Sequence, residues 1–281
     1  QSKKNVLLNQ VTLVSEKITD LFLSFNAAND IDGDIQALTA RYGSFAISLQ
    51  ASEMGAFEKI LKHISDLMLN LKPITETLIN NDIDVKAFCL MLEAIVTSSV
   101  DLEFTSKSEP DNPIFIKKDI ASRYLKSLSR ESLKYISTSK VPQADDLGKI
   151  FKVIEMTWHG DDVTPDSLGV QQRHVEYYRQ AAKILGFMTS NGIVTALGQR
   201  VILSNDEIKM IITAKAFEAS DCGWAWINWS EVEDIRDLSP ADGRPCLKKC
   251  CSALSDETAE RRGGTLSRWL RKLQPYYRPY I

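Results

Sequence analysis

The run Gly169–Met188 carries the donor side chains Gln171, Gln172, Arg173, His174, Tyr177, Arg179 and Lys183. Amide, guanidinium, imidazole and ammonium groups are donors that reach base edges and phosphate oxygens, and an aromatic ring beside them packs on sugar or base. Between them Val175, Tyr178, Ala182 and Leu185 recur at steps of three and four. Such spacing makes one helical face apolar and inward, leaving the donors on the other faces or at the helix start. The chemistry on offer is recognition of double-stranded DNA by a helix laid in the major groove. Arg200, Arg261, Arg262 and Arg268 follow as candidate phosphate contacts, with Thr265 and Ser267 as neutral hydroxyl partners.

Bond-breaking chemistry finds less support. The first 140 residues hold no Gly-rich phosphate loop and no Ser or Cys nucleophile flanked by a base. Their one histidine, His63, stands beside Ile60, Leu61 and Ile64 and reads as a helix-surface or core residue. Asp82 with Asp84, and Asp101 with Glu103, read as solvated surface carboxylates, because the strand pattern and lysine of a metal-dependent nuclease core are missing. Asp30, Asp32, Gly33 and Asp34 resemble a calcium loop only at its start, without the later oxygen ligands or the closing Glu. Cys246, Cys250 and Cys251 lack paired CxxC spacing and partner histidines, which argues against zinc. No cofactor is expected, and enzymatic activity stays an open question.

The formal net charge is −3, but it is unevenly spread. Residues 1–110 carry 9 basic against 15 acidic side chains, and residues 201–243 carry 3 against 9. Residues 171–200 reverse the sign with 4 against 1, as does the stretch 244–281 with 9 against 3. Two basic segments in the C-terminal half are therefore the ones suited to a phosphate backbone. No apolar run approaches the roughly 18 residues of a membrane span, and the five cysteines are odd in number, which suits reduced thiols. A soluble cytoplasmic protein without membrane association is the expectation. Gln1 in place of an initiating Met fits either a trimmed chain or part of a longer one, in which a catalytic domain could lie upstream.

Apolar periodicity supplies the elements that must position the donors. Leu7, Val11, Val14, Ile18, Leu21 and Phe25 alternate steps of four and three, which predicts a first helix over Val6–Phe25. After the break at Asn29–Asp34 a second helical run is expected over Ile35–Leu71, then a mostly buried helix over Val85–Val100. The segment Ser106–Pro113 reads as a loop, and a further helix covers Asp119–Ile136. Val141–Asp146 reads as a polar linker. A helix follows over Leu147–Trp158, and Thr164-Pro165 starts another, since a threonine hydroxyl caps free amides and proline fits the first helical position. Ser190-Asn191-Gly192 between two short extended pieces signals a hairpin, and Thr195 with Gly198 opens the next helix. Farther on, Trp224, Trp226 and Trp229 read as a hydrophobic layer. Leu254–Leu273 reads as part of a helix pair with Trp269 inside, and the final PYYRPYI as a strand or arm that orders on binding.

The order helix, turn, helix, hairpin is that of a winged helix. The run Arg173, Tyr177, Tyr178, Ala181 or Ala182, Leu185, Gly186 and Phe187, with Thr164 before it and Thr195 and Gly198 after, resembles the winged-helix module of type II restriction endonucleases and related restriction and phage-defence proteins. A second stretch, LSDETAERRGGTLSRWLRKL at Leu254–Leu273, resembles helices found downstream of that wing. Together the two cover residues 147–273. His174 stands where the family carries Gln, and the second helix is about one turn short. Both departures fall near the DNA-facing edge.

The resulting expectation is a mainly α protein in three parts. A helical domain over 1–140 serves assembly or partner docking, as a homodimer or within a defence complex. A winged helix with a small β-hairpin over 147–205 binds DNA, and a helical extension with a basic tail covers 206–281. The resemblance implies sequence-specific double-stranded DNA binding by a component of a restriction or anti-phage system. One alternative is an assembly subunit without DNA contact, and another is the recognition part of a nuclease whose catalytic domain lies elsewhere.

Overall fold

The computed structural model describes residues 2–29, 31–41, 44–52, 54–105 and 110–279, with side chains described outside 2–11, 37–41 and 44–46. The chain is mainly α and divides into two compact units, Gln1–Ser137 and Thr138–Ile281.

The first unit opens with α1 (Ser2–Ala28). Val14, Ile18, Leu21 and Phe25 form its buried stripe, joined by Phe22. The side chains of Leu7 and Val11 lie outside the described residues. Phe22 and Phe25 close on Phe57 with ring centroids 5.4 and 5.1 Å apart, so aromatic contact fixes α1 against α2 (Met54–Leu69).

Where the second helical run was expected to begin, the chain instead forms an antiparallel hairpin, β1 (Gly33–Arg41) with β2 (Ser44–Ala51). Phe45, Ile47, Leu49 and Ala51 alternate by two, a strand period that a helical reading passes over. Ile35, Ile47 and Leu49 pack from it onto the core. Asp30 of the calcium-like segment lies outside the described residues. Asp34 spends its oxygens on the Ile35 amide and on Gln36, a local turn rather than a ligand array.

The short α3 (Thr75–Asn80) leads to α4 (Val85–Ser98), which is largely buried. Asp84 is 3% exposed and caps α4 by accepting from the amides of Lys86 and Ala87. It is a structural carboxylate, contrary to the solvated reading. Asp101 likewise accepts from the Lys118 amide, at the start of α5 (Lys118–Glu131). Between α4 and α5 runs a second hairpin, β3 (Leu102–Phe104) with β4 (Ile114–Ile116); residues 106–109 of its loop lie outside the described residues. The helix expected to reach Ile136 stops at Glu131. His63 sits exposed on α2, in keeping with a helix-surface histidine.

In the second unit Val141–Asp146 is no free linker. Val141 and Ala144 are buried, and the Trp269 indole donates to the Ala144 carbonyl at 2.9 Å. This strap, preceded by a 3-10 turn at Thr138–Lys140, runs into α6 (Leu147–His159), whose Leu147, Ile150, Val153 and Ile154 face the core. The four-residue α7 (Pro165–Leu168) carries the expected Thr164 cap, completed by Ser167 as a capping box. Then come α8 (Gln172–Ile184), a turn-back closed by one bridge between Met188 and Val194, and α9 (Ala196–Ile202).

The remainder is helical: α10 (Asp206–Ala219), α11 (Asp221–Ser230), α12 (Gly243–Cys250) and α13 (Asp256–Leu273). Trp269 is fully buried and meets Phe217 edge-on at 5.9 Å. The expected tryptophan layer is realised by Trp226 at 0% exposure, whereas Trp224 is half exposed. The C-terminal segment is anchored at Tyr277, while Pro275, Arg278 and Pro279 are exposed. Tyr277 is 5% exposed and its hydroxyl donates to Glu218 at 2.8 Å. Residues 280–281 lie outside the described residues. No helix among the described residues is long and apolar enough to cross a membrane.

Candidate nucleic-acid interface

Helix α8 owes its orientation to its apolar stripe. Val175, Tyr178, Ala181, Ala182 and Leu185 are buried, the two alanines completely, and small residues there let α6 approach closely. Lys149 and Lys152 of α6 donate to the carbonyls of Gly169 and Ser167, tying α7 and the turn before α8 to the same frame. Lys149 also stands 6.0 Å from the Tyr178 ring centre. Burial pushes the Tyr178 phenol above its ordinary range, with the charges of Asp145 and Asp146 adding to the shift.

Gln171, Gln172 and Arg173 are exposed at the start of α8, and Gln171 makes no side-chain cap. His174 and Tyr177 are half-buried and lie ring beside ring, with centroids 5.5 Å apart. The next turn is more engaged. Arg179 donates to the Val163 carbonyl at 3.3 Å and pairs with Glu176 at 3.7 Å, and Lys183 lies 3.6 Å from the other Glu176 oxygen. Gln180 donates to the Ser139 carbonyl at 2.8 Å, so the 3-10 turn lies over the C-terminal half of α8. The accessible part of the helix is thereby concentrated in its first two turns. Acidic Asp161, Asp162 and Asp166 stand exposed on the approach.

The arginines of α13 meet the same strap from another side. Arg261 donates to Gln143 at 3.0 Å, Arg262 to the Thr138 carbonyl at 2.6 Å, and Arg268 lies 3.3 Å from Asp145. Arg261 and Arg268 are nonetheless exposed, whereas Arg262 is half-buried. Thr265, expected as a phosphate partner, is 2% exposed and unable to reach one. Ser267 donates instead to the carbonyls of Pro240 and Gly263. The α8 and α13 groups are thus joined through the 3-10 turn before the strap, by Gln180 on Ser139 and Arg262 on Thr138. Sequence reasoning missed this because backbone carbonyls as acceptors leave no pattern in residue types.

Arg200 is exposed on α9. On the same stretch, from the turn-back to the end of α9, Ile193, Leu197 and Leu203 are exposed by 65%, 38% and 80%. Sequence reading had not singled these out, although their apolar character against the hairpin signal was visible.

All five cysteines are buried, and none of them is in a disulfide. Burial pushes the Cys222 thiol up to about 12, against the opposing hydrogen bond of Ser220. A hydrogen bond between Cys246 and Cys250 pushes the first up and the second down. Among the described residues no three His, Cys, Asp or Glu side chains are grouped so as to hold a metal ion.

Residues 1–75 are similar to a family described as being of unknown function, DUF6575. No curated protein and no solved structure matches the chain. The matched span falls on α1, the first hairpin and α2.

Proposed function

We propose that the second unit binds double-stranded DNA, as a component of a restriction or anti-phage defence system. The observation that carries this reading is the split character of α8. Its inward stripe is fully packed, while Gln171, Gln172 and Arg173 stand exposed on its first turn. A rigidly seated helix with free donors at its N-terminal end is what major-groove readout requires. Arg173 supplies the bidentate donor pair suited to a guanine edge, Gln171 and Gln172 the amides suited to adenine, and Tyr177 a ring for sugar or base. Arg200, Arg261 and Arg268 serve the phosphates, and Arg179 and Lys183 add charge behind the reading turn. The test is a titration of labelled duplex, in which affinity falls steeply with rising salt and falls further in Arg173→Ala.

The exposed Ile193, Leu197 and Leu203 favour a second reading, a protein-assembly module in which the hairpin and α9 contact a partner. A defined partner held with little salt dependence, by a protein that ignores duplex DNA, supports that reading. The third, the recognition part of a nuclease, is supported by magnesium-dependent cleavage of plasmid DNA that is lost on chelation.

A further inference from the structure

Glu176 sits near the middle of the exposed face of α8. At about 100° per residue it falls opposite the buried stripe of Val175, Tyr178, Ala182 and Leu185, one turn beyond Arg173. Its side chain is 59% exposed. A carboxylate in that place opposes the approach of a phosphate backbone, so a role for it has to outweigh the repulsion.

Its partners leave it able to act. Arg179 and Lys183 lie 3.7 and 3.6 Å from its two oxygens, beyond the 2.7–3.2 Å typical of an N–H···O hydrogen bond. Both cations offset its charge while its lone pairs keep room for another donor. The exposed α8 residues before it, Gln171, Gln172 and Arg173, all bring donors. Glu176 alone among these four brings acceptors and nothing else.

In the major groove, donors come from the amino groups of cytosine and adenine. Adenine sets its amino group beside the N7 acceptor, which repels a second carboxylate oxygen. Cytosine offers its amino group with an acceptor on one side only, the O6 of the paired guanine, whereas adenine's amino group is flanked on both sides, by N7 and by the O4 of the paired thymine. Resting on the DNA-binding reading above, we infer that Glu176 is a specificity-determining residue that accepts a hydrogen bond from the N4 amino group of a cytosine. Arg173, one turn earlier on the same side, addresses a guanine edge nearby. The preferred site therefore contains a cytosine whose replacement by thymine, which presents an O4 acceptor, sets two acceptors against each other.

Bound sequences are recovered from a randomised duplex pool for the wild type, Glu176→Gln and Glu176→Ala, and affinities are then measured on the best duplex and its single-pair variants. The wild type loses about tenfold in affinity when one cytosine becomes thymine. Glu176→Gln, which offers both a donor and an acceptor, binds the two duplexes within about twofold of each other, and Glu176→Ala loses the preference as well. If both variants tighten binding to every sequence equally and the cytosine preference persists, Glu176 is only an electrostatic brake and the inference fails. A wild type that binds duplex without base preference also overturns it, while leaving DNA binding intact. A wild type that binds no duplex at low salt overturns the parent reading and this inference together.

Discussion

The carbonyl oxygen of Phe187 occupies the space that a Cβ on Gly198 would need, 2.2 Å from its ideal position. That approach is part of a lock around the turn-back after α8. The Thr195 hydroxyl donates to the Gly186 carbonyl at 2.7 Å and accepts from the Gly198 amide, while the Thr195 amide donates to the same Phe187 carbonyl at 3.0 Å. Gly186, at φ +69°, lets the chain leave α8 in the left-handed region. Threonine and glycine at this spacing therefore seat the start of α9 against the end of α8, and with it the reading helix.

Gly198→Ala forces that backbone contact apart and destabilises the second unit by about 1–3 kcal/mol. Thr195→Ala removes a helix cap and costs about 1 kcal/mol. Denaturant unfolding measures both. A Gly198→Ala protein as stable as the wild type would contradict the lock.

Arg262 is a clamp for the strap. Its guanidinium donates to the Thr138 carbonyl, which also accepts from the Val141 amide at 3.2 Å, so removing Arg262 takes a charge-assisted hydrogen bond from a residue that is 6% exposed. Arg262→Ala lowers stability by about 1–3 kcal/mol and leaves the salt dependence of DNA binding unchanged. Arg261→Ala, from an exposed position, does the reverse: stability changes by less than about 0.5 kcal/mol and the salt slope falls by about one. Measured together, the two variants separate clamp from phosphate contact.

The Asp234–Arg236 pair gives the second unit an acid limb. Arg236 donates Nε to both carboxylate oxygens, at 3.0 and 3.1 Å, and its Nη2 lies 2.6 Å from Oδ2. These hydrogen bonds hold Asp234 below the usual carboxylate range. A depressed folded value contributes stability that is fully present above the unfolded pKa, near 3.9, and is lost as pH falls through the folded value. Asp234→Asn therefore lowers stability near neutral pH by about 1 kcal/mol and flattens its decline below about pH 4. Tyr277 acts at the other end. Burial, reinforced by Glu218, raises its phenol, so its contribution is present below about pH 10 and is lost as pH rises beyond. Thermal midpoints across pH for the wild type and Asp234→Asn check this; an unchanged acid limb would remove the assignment.

Helix-scale periodicity made much of the second unit legible. The α6 face, the Thr164–Pro165 start, the α8 stripe and buried Trp269 all follow from residue spacing and capping chemistry. The first hairpin was missed because Ile35–Ala51 mixes alternation by two with alanines that suit either period, and packing of Ile35, Ile47 and Leu49 on the core decides between them. Asp84 and Val141–Asp146 were misread for a related reason. A charged or polar segment looks solvated until the amides and carbonyls that satisfy it are brought near. On α8 the donors were visible from their types. The Gln180 contact with Ser139, and the pairing of Arg179 and Lys183 with Glu176, depend on geometry that residue types do not encode.

Titrating a labelled DNA duplex with the wild type and Arg173→Ala at several salt concentrations tests DNA binding by the second unit most directly. The account predicts a steep linear fall of log affinity with log salt, with Arg173→Ala about tenfold weaker on the preferred sequence and less selective among sequences. Absence of binding by the wild type at low salt would contradict it.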